Sequence, residues 1–108
     1  VVDMARELDL EIGVLVAQPG TGDERVRSGQ VPAGRYAALT YTGVANGQAG
    51  NAALLDWCAQ QGLRVDQWPT DHGTAFGGRF EFLLTNPDVE PDMARWETEV
   101  CLRLADSA

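Results

Sequence analysis

Three features of this 108-residue chain predict an α+β fold, an antiparallel sheet with a helix packed on one face. Residues 8–16, 79–85 and 96–104 alternate apolar and polar side chains at the two-residue period of a strand. Residues 35–42 are rich in aromatic and β-branched types and follow a Pro-Gly turn. A single amphipathic helical stretch, residues 46–61, stands apart from the strands and packs on their sheet.

In chain order, residues 1–7 are weakly patterned and read as a linker or as the end of a preceding helix. In residues 8–16, Leu8, Leu10, Ile12, Val14 and Val16 face inward, with Asp9, Glu11 and Gly13 outward, as in a half-buried strand. Residues 18–24, with Pro19, Gly20 and Gly22, form a loop; Arg25, Val26 and Arg27 form a short strand ending at Ser28-Gly29. Pro32-Ala33-Gly34 turns the chain into the strand at 35–42, which Gly43 closes.

Asn46 is the expected N-cap of the helix, and Gly62 with Leu63 its Schellman-type stop. On a helical wheel Gly50, Leu54, Trp57, Cys58 and Gln61 share the packed side, with Asp56 and Gln60 opposite. Gly47 and Gly50 weaken a helix, so on or near its packed side they imply a close approach or space kept open. Residues 64–74 read as a loop carrying Trp68 and His72. The strand at 79–85 places Phe80, Phe82 and Leu84 on one face and Arg79, Glu81 and Leu83 on the other. Pro91 opens one helical turn that leads to the final strand.

That final strand organises the domain. Trp96, Thr98, Val100, Leu102 and Leu104 lie on one face, and Glu97, Glu99, Cys101 and Arg103 on the other. A carboxylate on a sheet must reach water, a basic partner or a bound cation, because an unpaired buried charge is costly. A solvated or Arg103-paired face and a ligand site both satisfy this.

Composition narrows the functional classes. The length is that of one domain. The net charge of −8, and eight dispersed basic residues that are all arginines, argue against direct nucleic-acid contact. No apolar run is long enough to span a membrane and no signal-peptide pattern is present, so a cytoplasmic location is expected. Cys58 and Cys101 are widely spaced and there is one histidine, His72, so no metal site is expected; no cofactor is called for. The cysteines read as small core residues, with a disulfide between them left open. The chain starts at Val1 and not at Met, as a piece of a longer protein would.

Three segments together point further. They are residues 31–35 leading into Tyr41-Thr42-Gly43; Leu55-Asp56-Trp57 with Gly62-Leu63; and residues 78–87 followed by 96–100. In this order they resemble the GyrI-like small-molecule-binding domain, also called the AraC-type effector-binding domain, over about residues 8–104. The resemblance implies a duplicated βαββ (SHS2-type) fold with a ligand groove between the repeats. This chain would be the C-terminal two-thirds, lacking the opening strand and helix, which precede Val1, go unseen or come from a second subunit, as in a homodimer.

It further implies a sensor of lipophilic or cationic small molecules, many relatives being the effector-binding part of MerR- or AraC-type transcription regulators. An acid at the pocket floor would be Glu99, with Glu81 the next candidate. The walls would be drawn from Tyr41, Trp57, Trp68, Phe76, Phe80 and Trp96, for each of which core packing is the alternative. Where relatives carry Gly-Pro-Tyr, this chain has Gly43-Val44-Ala45, which removes one aromatic wall. Stand-alone relatives supply the other readings. One is a hydrolase of strained rings, with Glu99 as acid/base and Tyr41 polarising the substrate; another is a gyrase-inhibitor-type interaction module.

Overall fold

The computed structural model describes residues 2–3, 7–8, 10–18 and 20–106. The fold is α+β, with one α-helix among the described residues and antiparallel strands in two sheets. One sheet joins four short strands, β1 (Val2–Asp3), β2 (Glu7–Leu8), β4 (Gln67–Thr70) and β5 (Gly73–Phe76), in the order β2-β1-β5-β4. The longer strands form a three-stranded sheet in which β3 (Tyr36–Thr42) and β6 (Arg79–Leu83) flank β7 (Glu97–Arg103).

The final strand is central because its alternation matches what lies on either side. Thr98, Val100, Leu102 and Leu104 are buried, and Leu54 and Cys58 of α1 (Gly47–Gln60) meet the last three and Ala37 in the core. Leu39, Tyr41, Leu55, Leu63, Val65 and Phe76 pack around it. Strand register carries this facing outward. Tyr41 pairs with Thr98 and Leu39 with Val100, so odd-numbered residues of β3 face the helix; Glu81 pairs with Val100, which turns Arg79, Glu81 and Leu83 the same way.

The helix ends as expected. Gly62 has φ +70°, and Leu63 N–H donates to the Cys58 carbonyl at 2.9 Å, the Schellman closure. Its start differs. Asn46 occupies the cap position but gives no side-chain cap, because a 3-10 turn over Val44–Asn46 precedes it and its Nδ2 donates instead to the Thr42 carbonyl at 2.7 Å. Gly50, Leu54 and Cys58 are buried, whereas Trp57, expected on the packed side, is about half exposed at the helix margin.

Other expectations are corrected. Residues 10–16 have no regular structure and their apolar side chains are exposed, Ile12 fully; only Leu8 of the expected strand lies in one, and Asp9 is outside the described residues. Alternation marks a face that would suit burial, but a strand also needs a neighbour to take its N–H and C=O groups, and among the described residues none flanks this stretch. Residues 2–3 and 7–8 are short strands and not a linker or helix end, while residues 1 and 4–6 lie outside the described residues. Residues 25–27 form no strand; Asp23 instead closes a turn, its carboxylate accepting Arg25 and Val26 N–H, which holds it below the usual carboxylate range.

Residues 64–74, read as a loop, contain β4 and the start of β5, joined across Asp71-His72. Gly73 at φ +130° permits that tight return, and the Thr70 hydroxyl donates to its carbonyl. Pro69 is tolerated because β4 is an edge strand. Finally, β6 stops at Leu83, and the helical turn is Met93–Arg95, capped by Asp92 rather than begun by Pro91.

Candidate functional site

The helix covers one face of the β3-β7-β6 sheet and leaves the other open. On the open face Glu99 lies in the middle, directly between Thr40 of β3 and Phe82 of β6. The next row is Ala38, Cys101 and Phe80, and the one beyond it contains Tyr36 and Arg103. The rings form a continuous series, Tyr36 to Phe80 at 6.1 Å and Phe80 to Phe82 at 6.5 Å between centroids, all partly exposed.

The electrostatics follow from where the arginines go. Arg103, the expected partner for the strand's acids, turns to the end of the sheet, where Nη1 meets Asp66 Oδ2 at 2.9 Å and Nε donates to the Ala33 carbonyl. Among the described residues no cation lies within ion-pair distance of Glu99 or Glu97. Glu99 is half-buried, and its Oε1 accepts a hydrogen bond from Cys101 Sγ at 3.6 Å. Burial first, and then the charge and hydrogen bond of Glu99, push the Cys101 thiol up, so it is a poor nucleophile. Both cysteines are free, and burial likewise raises Cys58.

Of the residues expected in a site, the open face brings together Glu99 and Phe80. It adds Tyr36 and Phe82, which sequence reasoning did not select. The signal for Phe82 was its spacing of two from Phe80; for Tyr36 only its pairing with Arg103, one row of that face beyond Cys101 and Phe80, reveals it. Glu81 lies on the helix side, in a polar seam where Asn51 Nδ2 donates to its Oε1 at 3.1 Å and Asn51 Oδ1 accepts from Arg79 at 2.8 Å. Tyr41 is also on the helix side, its ring against Gly47 and Gly50, so Glu99 and Tyr41 point to opposite faces and form no catalytic pair.

The remaining rings are dispersed. Arg79 lies 4.5 Å over the Phe76 ring on β5, at the core margin. Trp68 is half exposed on β4. Trp96 enters β7 with its indole N–H donating to the Glu90 carbonyl at 2.7 Å. Trp57 lines an open cleft of about 720 Å³ between α1 and β3, with Leu39, Ala53, Leu54 and Gln60. That cleft wraps the β3 edge, so that Tyr36 and Ala38 of the open face line it as well, and among the described residues Asp56 is its one charged lining residue. No group of three or more possible metal ligands occurs among the described residues.

The family model of the GyrI-like small molecule binding domain matches residues 2–105, nearly the whole chain. The chain belongs to the GyrI-like family. As a GyrI-like domain its role is to bind a small molecule, and an open sheet face with one half-buried acid among aromatics is chemically suited to that. No curated protein matches the chain, and no solved structure does. None of the helices described is long and apolar enough to cross a membrane.

Proposed function

We propose that this GyrI-like domain senses a lipophilic organic cation on its open sheet face, with Glu99 as the electrostatic anchor and Tyr36, Phe80 and Phe82 as the contact surface. The carrying observation is a half-buried Glu99 with no basic partner in reach among the described residues, set between Thr40 and Phe82 beside the ring series. A delocalised cation placed there gains Coulomb attraction strengthened by reduced solvent and ring-face attraction of roughly 0.5–2 kcal/mol per aromatic.

On this reading the domain is the effector-binding part of a bacterial transcription regulator acting in the cytoplasm, with DNA contact made elsewhere, since a chain of net charge −8 is ill suited to phosphates. The strained-ring hydrolase reading is disfavoured by the separation of Glu99 from Tyr41. Calorimetric titration with tetraphenylphosphonium tests the proposal. Saturable micromolar binding that is lost against neutral triphenylphosphine oxide supports it; equal binding of the two removes the role of the carboxylate.

A further inference from the structure

We propose that β3 is a self-association edge, through which two copies of this chain pair their Tyr36–Thr42 strands antiparallel about a two-fold axis at Leu39. Among the described residues β3 has a neighbour on one side only. Leu104 N–H donates to the Arg35 carbonyl, so by the antiparallel alternation the odd residues bond to β7, while Tyr36, Ala38, Thr40 and Thr42 present N–H and C=O outward.

Edges that stay single are blunted by charge, proline or a bulge. β6 carries Arg79 and Glu81 in its five residues; β3 carries no charge, proline or glycine in seven. That matters in a chain of net charge −8, whose copies repel wherever acids meet. Pairing centred on Leu39 sets Tyr36 opposite Thr42, Ala37 opposite Tyr41 and Ala38 opposite Thr40, uses all seven residues, and opposes no like charges. The strand is thus complementary to itself, as an isologous contact requires.

The cleft beside β3 fits the same occupant. Because α1 lies over β3 and β7, two-fold pairing brings both helices to one face with axes roughly 10 Å apart, the ordinary helix-packing distance. The half-exposed Trp57 and the exposed Ala53 then line a shared seam. Seven strand pairs and two facing helices bury on the order of 1,200 Å², the lower bound for a specific interface, so the dimer is concentration-dependent. The open faces merge as well, with Tyr36 of the second copy placed beside Thr42. This surface stands independently of the cation reading.

Sedimentation equilibrium of the chain, from micromolar to millimolar, is expected to show a monomer–dimer equilibrium that tightens as salt screens the repulsion. Ala38→Pro removes only an outward N–H and is expected to give a monomer with an unchanged circular dichroism spectrum. Should that variant unfold, Leu39→Cys decides, because the residue on the axis meets its copy at a non-hydrogen-bonded position about 4.5 Å apart and crosslinks on mild oxidation. A monomer throughout, a folded Ala38→Pro dimer, or a native dimer whose Leu39→Cys variant fails to crosslink overturns the proposal. So does a monomer in which hydrogen exchange shows residues 10–16 protected on the β3 edge.

Discussion

The ring of Tyr41 occupies the space that a side chain on Gly50 would need. A Cβ built there would lie 2.7 Å from Tyr41 Cδ1 and 3.0 Å from Cγ. The glycine therefore sets how closely α1 approaches β3, and so holds Tyr41 on the covered face.

Gly50→Ala is thus expected to destabilise although it improves helix propensity. Overpacking of about 1–3 kcal/mol exceeds the gain of about 1 kcal/mol from replacing a mid-helix glycine. Urea denaturation should show a lower midpoint with unchanged slope. In a Tyr41→Leu background the same substitution should cost less or stabilise; an equal cost in both backgrounds would locate the strain elsewhere.

The Asp66–Arg103 pair fixes the end of the sheet. Both side chains are largely shielded, at 30% and 19% exposed, and the Asp66 backbone also donates and accepts hydrogen bonds, from Asp66 N–H to the Arg103 carbonyl and from Gly77 N–H to the Asp66 carbonyl. Asp66→Asn should cost about 1–2 kcal/mol, the range for a hydrogen bond to a charged group discounted for partial exposure. Among the described residues the other carboxylate near Arg103 is Asp106, at 3.9 Å and largely exposed. Thermal unfolding in low salt, with Arg103→Gln to complete the double-mutant cycle, measures the coupling.

The two thiols give a pH dependence. In the fold both are raised above the ordinary value of 9.0, so the folded state binds their protons more tightly than the unfolded chain does. Their contribution to stability is complete below pH 9 and is lost as pH rises through the higher folded values. Denaturation midpoints should therefore hold between pH 7 and 8.5 on this account and fall in more alkaline solution. Glu99→Gln removes one cause of the Cys101 shift, so alkylation of Cys101 at pH 8 should become faster while Cys58 remains slow.

Much of the α+β fold was legible because period and caps are local properties. The alternation from Trp96 to Leu104 named both faces of the central strand, and Gly62-Leu63 named the helix stop. Which face carried a site was less legible. Glu99 and Phe80 share a face because Phe80 pairs with Cys101, a register that neither strand displays alone. Tyr41 was grouped with Glu99 for its chemistry, yet adjacent rows of a sheet face opposite ways. The apolar alternation of residues 10–16 was read as a strand, but strand formation depends on a neighbour, which periodicity does not report. The Gln67–Thr70 and Gly73–Phe76 hairpin was hidden by Pro69 and Asp71-His72-Gly73, whose loop composition also suits a two-residue turn on an edge.

The most direct test is fluorescence anisotropy of rhodamine 6G titrated with the native chain, Glu99→Gln and Glu81→Gln. The account predicts saturable micromolar binding, weakened about tenfold or more by Glu99→Gln, a loss of roughly 1.4 kcal/mol, and nearly unchanged by Glu81→Gln, whose carboxylate lies across the sheet. Binding that survives Glu99→Gln, or that is lost with Glu81→Gln, would contradict the open face as the ligand site.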